Sequence, residues 1–191
     1  MFSLFQTNLT TKADLVSYLN DILFRGATRK EVEGLVDIYP SSSCNGASSS
    51  NETCPEFDRL SAILGDFVFI LQRRIFLDTV PKSVPTWSYQ AAYERGTPIL
   101  GTYHVSDLPR SFSYTDRVSS AIQDLYISFA HSLDPNGGAA EDPDGYVTHW
   151  PKWREGRQLI EFGVNSTRLL TDDFRTPSFN YIRSHLDSLR T

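Results

Sequence analysis

Apolar residues recur at helical spacing in five stretches of the chain. From Thr11 to Phe24 the positions Leu15, Leu19, Ile22 and Leu23 share one face, with Thr11 placed to cap the helix. A second helix starts at Thr28, where Thr28 and Glu31 form a capping box. Val32, Leu35, Val36 and Tyr39 then supply its stripe before Pro40 stops it. Glu56 to about Leu77 is the strongest helical segment, and its apolar residues cover so much of the circumference that it is predicted to be buried. Arg117 to Leu133 is amphipathic, with Val118, Ile122, Leu125, Tyr126 and Phe129 on the inner face. A last helix runs from about Pro177 to Leu189.

Strand-like alternation is scarcer. "PTWSYQAAY" (85–93) alternates and is followed by Gly96, while "QLIEFGV" and "TRLLTDDF" read as two short strands late in the chain. Residues 40–56 and 133–145 are rich in Ser, Asn, Gly, Pro and Asp and read as loops. No repeat is visible. The pattern predicts a mixed α/β chain, helix-rich, with too few strands for a complete sheet.

Composition narrows the partners. The 191 residues are 40% hydrophobic and 21% charged, with a net charge of −5, and the basic residues are scattered. No basic stripe is available to follow a phosphate backbone, so nucleic acid is not an expected partner. No stretch reaches the roughly 20 apolar residues of a membrane span. The opening "MFSLFQTNLTTK" lacks the basic start and the apolar core of a secretion signal.

Other features nonetheless belong to extracellular proteins. Asn8, Asn51 and Asn165 each begin an Asn-X-Thr glycosylation sequon. Cys44 and Cys54 bracket "CNGASSSNETC", a loop short enough for a disulfide worth up to about 3 kcal/mol; the alternative is two free thiols. Secretion features without a signal point to an N-terminus lying further upstream.

The candidate chemistry centres on histidine. His104, His131, His149 and His185 lie far apart in sequence, and none forms a HExxH or CxxC-type ligand pattern, so no metal or other cofactor is expected. Gly137-Gly138 stands among Asp134, Glu141, Asp142 and Asp144, which would repel a phosphate. A nucleophile elbow requires G-x-S-x-G; "GASSS" at Gly46 lacks the second glycine and follows no strand. His104, in "PILGTYHVSDLP", is therefore a base candidate with no local nucleophile. Spacing alone favours a structural role for it.

Several segments taken in order change that balance. "LSAILGDFVFILQRRIFL", "PILGTYHVSDLP", "FAHSLDPN" and "WPKW" together resemble the C-terminal third of type-B carboxylesterases, and among them the secreted fungal lipases of the Candida rugosa type. The resemblance runs from "FSLFQTNLTT" to "TDDFRTPSFNYI". It implies that residues 1–191 are the C-terminal portion of a single α/β-hydrolase domain that hydrolyses carboxylic esters or lipids. It places the family's catalytic histidine on His104. In these hydrolases the triad runs Ser, Asp or Glu, His along the chain. The family's acidic member precedes a segment like "LFSLFQTNLT", so its counterpart is expected just upstream of Met1, with the serine and oxyanion donors further upstream.

Asp107, three residues after His104, matches a common acidic position whose expected task is local: pairing with a base or holding the loop. Asp66 in "LGDF" also matches a family position, and a charge on a buried helix requires a partner that sequence does not identify. Trp150 and Trp153 are expected to pack. Two functions remain open at this level. One is the C-terminal part of a secreted Ser-Glu-His esterase or lipase, inactive alone; the other is a non-catalytic, cholinesterase-like binding or adhesion module.

Overall fold

The computed structural model describes residues 9–40, 56–93, 102–113, 115–137 and 146–189. Two compact units divide the chain: Met1–Val80 with Phe174–Thr191, and Pro81–Asp173.

The first unit is helical. Thr11 caps α1 (Lys12–Tyr18) through a capping box closed by Asp14, and the chain continues through a π-helical turn, Leu19–Leu23. Thr28 caps α2 (Arg29–Ile38) in the same way, its hydroxyl and backbone amide both bonded to the Glu31 carboxylate at 2.7 Å. Each capping box supplies acceptors to two of the N–H donors that a helix start leaves unpaired, so both starts are legible locally. Next come α3 (Phe57–Gly65), a π-helical turn at Asp66–Ile70, and α4 (Leu71–Thr79). The returning segment adds α7 (Thr176–Ser184). Leu15, Leu19, Val32, Leu35, Leu60, Ile63, Leu71 and Ile182 close the core completely, and Phe24 meets Phe67 edge to face at 4.8 Å.

The long third helix differs from the expectation of burial all round. Leu60, Ile63, Phe67, Leu71 and Leu77 face the core, whereas Val68, Phe69 and Phe76 are about half exposed or more. The segment is interrupted at Asp66, where the Leu71 amide reaches back five residues to the Asp66 carbonyl and the helix changes phase.

The second unit holds β1 (Tyr89–Ala91), α5 (Asp107–Phe112), α6 (Arg117–Ser132), β2 (Gln158–Phe162) and β3 (Thr167–Thr171). The described strands form one sheet in the order β1-β2-β3. β1 pairs parallel to β2, with Gln90 opposite Glu161, and β2 pairs antiparallel to β3, with Ile160 opposite Leu169. The core joins sheet and helix: Ile160 and Phe162 pack with Tyr146, Trp150, Val118, Ile122 and Leu125. Phe129, expected on the inner face of α6, is 44% exposed and meets Trp87 edge to face at 5.8 Å. β1 is shorter than its alternating sequence, and α5 was not anticipated.

Both late tryptophans pack, as expected. Trp150 is 5% and Trp153 1% exposed, and each finds a partner for its indole N–H: the Ser88 carbonyl at 2.9 Å and the Asp172 carboxylate at 2.8 Å.

Candidate active site

His104 lies in an exposed turn that leads into α5. Backbone bonds from Ser106 N to Tyr103 O and from Leu108 N to Val105 O, both 3.1 Å, close the turn. Val105 has φ 68°, a left-handed conformation that a β-branched residue adopts only under strain, at a cost of about 1–3 kcal/mol. Several apolar side chains of the turn and of α5 are exposed: Tyr103, Val105, Leu108 and Phe112 at 40%, 39%, 49% and 75%.

α5 is only six residues long, and its N-cap Ser106 makes no side-chain capping bond. A helix this short does not hold itself in water, so tertiary ties must fix it. At its first residue, Asp107 Oδ2 accepts a hydrogen bond from the Tyr89 hydroxyl at 3.1 Å, and Tyr89 in turn accepts one from Tyr126 at 3.2 Å. Desolvation, the Tyr126 hydroxyl and the nearby Asp107 charge all hold the Tyr89 phenol far above its usual pKa, so it stays a donor at any physiological pH. Toward the other end of α5, Arg110 lies over the Tyr93 ring at 5.4 Å and pairs with Asp116, the N-cap of α6. Asp107 is thus engaged locally, by a tyrosine hydroxyl.

Asn165, also in the second unit, is exposed in the loop 163–166 that joins β2 to β3, a loop closed by Gly163 N to Ser166 O at 3.1 Å. The sequon hydroxyl of Thr167 is already employed, donating to Tyr146 O at 2.8 Å and accepting from Thr148 N at 2.9 Å. Asn8, Asn51, Cys44 and Cys54 lie outside the described residues.

Asp66 belongs to the first unit and is fully buried. Its Oδ2 accepts from the Tyr39 hydroxyl and from Arg175 Nη1, both at 2.8 Å. Arg175 stands at the start of α7 with φ 50°; its guanidinium also lies over the Tyr39 ring at 5.3 Å and donates to Ala62 O at 3.3 Å. The partner that sequence left unnamed is therefore Arg175, 109 positions away. Desolvation raises the pKa of the Tyr39 phenol, and its Asp66 neighbour adds to the shift, so it too remains a donor.

Sequence reasoning missed Tyr89 and Tyr126 as neighbours of the histidine turn. The aromatic alternation of "PTWSYQAAY" marked Tyr89 as a strand residue, and the α6 stripe marked Tyr126. Neither pattern specifies that Tyr126 donates to Tyr89 and Tyr89 to Asp107.

No family model matches the chain. Comparison with known proteins does find relatives along its whole length. It is 39% identical to a secreted triacylglycerol lipase of Gibberella zeae over 99% of this chain and 33% of that protein. It is 38% identical to secreted lipase 1 of Botryotinia fuckeliana over 98% of this chain and 34% of that one. Lipase 4 of Diutina rugosa is 30% identical over 94% of this chain and 33% of its own length. The chain therefore spans about a third of the length of the curated relatives it matches. Among solved structures, EstA of Aspergillus niger superposes with a TM-score of 0.75 at 18% identity, covering 99% of this chain and 38% of that one. This likeness shows the fold: a helix-rich portion of an α/β-hydrolase with a small sheet. Over its whole length the chain is a relative of the C-terminal part of the type-B carboxylesterases and lipases, with secreted fungal lipases of the Candida rugosa type among its homologues.

Proposed function

We propose that this chain is the C-terminal part of a secreted carboxylic ester hydrolase, a carboxylesterase or lipase of Ser-Glu-His mechanism, in which His104 is the base. The observation that carries the reading is the whole-chain similarity to secreted lipases. His104 supports it by standing exposed in a strained turn with apolar side chains on either side, a setting suited to an ester's acyl or alcohol group.

In the parent enzyme His104 takes the serine proton as the hydroxyl attacks the ester carbonyl, then delivers it to the leaving alcohol. Imidazole is the side chain that can do both near neutral pH. A glutamate fixes the ring tautomer, and backbone amides hold the oxyanion. The 191 residues contain no G-x-S-x-G elbow. In a related serine hydrolase, losing the serine costs about 10⁶ in rate. The chain by itself is accordingly expected to leave esters intact.

Two measurements test this. Mixed with an activated aryl ester, the purified chain should give no burst and no turnover; a burst abolished by a serine-directed organophosphorus inhibitor would refute its inactivity. Joined to the preceding two thirds of the Gibberella lipase, it should restore turnover, and His104→Gln should remove it by about 10³-fold or more. Full activity of the His104→Gln hybrid would overturn the assignment of the base.

Secretion of the parent carries two covalent features. The Cys44–Cys54 disulfide closes its short loop, and N-linked glycans occupy Asn8, Asn51 and Asn165. Asn165 has the clearest support, since it lies exposed in the β2–β3 loop. Expression in a eukaryotic secretory host followed by peptide mass spectrometry should find a glycan on Asn165 that Asn165→Gln removes, and the two cysteines joined. An unmodified Asn165 in secreted protein would refute that assignment.

A further inference from the structure

We infer that Tyr89 and Tyr126 are positioning residues for His104, acting through Asp107; the inference rests on the reading of His104 as the base. Val105, next to the histidine, sits at φ 68°, and such a conformation persists only where its surroundings over-determine it. The turn's two backbone bonds are internal and do not tie it to the rest of the unit, and α5 is six residues long with no capping bond from Ser106. Something rigid must hold the start of α5.

The Tyr126–Tyr89–Asp107 chain has the required properties. Tyr89 is placed by β1, whose register against β2 is fixed by the parallel pairing of Tyr89 with Ile160. Its ring is wedged edge to face between Trp150, at 6.2 Å and 89°, and Phe162, at 5.8 Å and 65°. Two buried aromatic side chains thus fix where the phenol oxygen points. That oxygen accepts from Tyr126 on α6, which leaves its own proton directed at Asp107 Oδ2. Sheet and long helix therefore converge on one carboxylate at the first residue of α5, three positions from the imidazole. Arg110 and Asp116 pair toward the far end of the same helix, and the tyrosine chain ties the near end.

The roles separate cleanly. Asp107 is a hydrogen-bond acceptor for Tyr89, and the phenols fix the strained turn so that the His104 ring is presented in one orientation.

Hydrogen exchange and side-chain NMR on the full chain test this without any ester turnover. Tyr89→Phe should speed exchange of the Ser106 and Leu108 amides, which close the turn, by about tenfold. It should also shift and broaden the ring resonances of His104 while leaving the β2 and β3 amides protected. Tyr126→Phe, which removes only the outer donor, should move the same signals in the same direction by less. Asp107→Asn keeps an acceptor oxygen and should fall nearer the native protein than Asp107→Ala. Unchanged Ser106 and Leu108 exchange with unchanged His104 ring signals in Tyr89→Phe would overturn the inference. So would a loss of protection spread evenly over β2 and β3, since it would make Tyr89 a general packing residue. A hybrid enzyme indifferent to His104→Gln would instead refute the base assignment and leave the exchange result standing.

Discussion

Asp66 offers the sharpest test of what holds the helical unit together. Its carboxylate is fully buried and accepts two hydrogen bonds at 2.8 Å, from Tyr39 and Arg175. Asp66→Ala removes the acceptor from both donors and leaves Arg175 its weaker bond to Ala62 O at 3.3 Å. The Tyr39 hydroxyl, on a residue 2% exposed, then loses its carboxylate partner, for about 1–3 kcal/mol. The Arg175 side chain is 33% exposed, so water screens part of its charge and its share is the smaller one. Breaking a buried pair from one side costs about 3–5 kcal/mol, and the partial exposure of Arg175 sets the expectation near 3 kcal/mol. With a urea m-value of about 2 kcal/mol/M, the midpoint should fall by roughly 1.5 M.

Far-UV circular dichroism in urea reads this directly, because the unit is largely helical. Tyr39→Phe removes one donor and leaves the ion pair, so it should cost only about 1 kcal/mol. The double variant Tyr39→Phe, Asp66→Ala no longer strands a hydroxyl and should be more stable than the sum of the two losses predicts. An Asp66→Ala midpoint within experimental error of the native protein would refute the reasoning, as would strict additivity in the double variant.

Three further outcomes follow from the contacts. Gly34→Ala would normally gain about 1 kcal/mol of helix propensity, but a Cβ there would lie 3.1 Å from Tyr181 Cζ and closer still to its hydroxyl. Thermal denaturation should therefore show a net loss of about 1–2 kcal/mol, partly restored by Tyr181→Phe. Trp153→Phe removes the indole donor to Asp172 at 2.8 Å and part of a side chain only 1% exposed, and should cost about 2–3 kcal/mol in urea melts. Acid should weaken the fold. The Thr11 and Thr28 hydroxyls lower the carboxyl pKa values of Asp14 and Glu31, and the Asn136 amide lowers that of Asp134. At Asp116, partial desolvation pushes upward but the Ser119 amide and hydroxyl with Arg110 prevail. Because each folded pKa lies below its unfolded value of 3.8 or 4.5, the stabilisation is present above that value. It disappears as pH falls through the folded pKa values, so melting temperature should drop as pH falls below about 4.5; a flat profile would contradict it.

The amino-acid sequence by itself determined what depends on neighbours a few residues apart. The two capping boxes, the amphipathic stripes and the late hairpin of β2 and β3 are local, and local hydrogen bonds and periodicity suffice to specify them. The ordered motifs around His104 likewise sufficed to mark its kinship with lipases. Tertiary structure decided what depends on distant partners. At the π-helical turn the buried Asp66 carboxylate meets Tyr39 and Arg175, the latter 109 positions away. β1 could not be paired from its pattern, since its parallel neighbour β2 lies some 70 positions downstream. The turn that presents His104 could not be read either, because Val105 gives no local sign of a left-handed backbone and Asp107 gives none of Tyr89. Backbone strain of that kind is set by packing around the turn, and packing is specified by the whole chain at once.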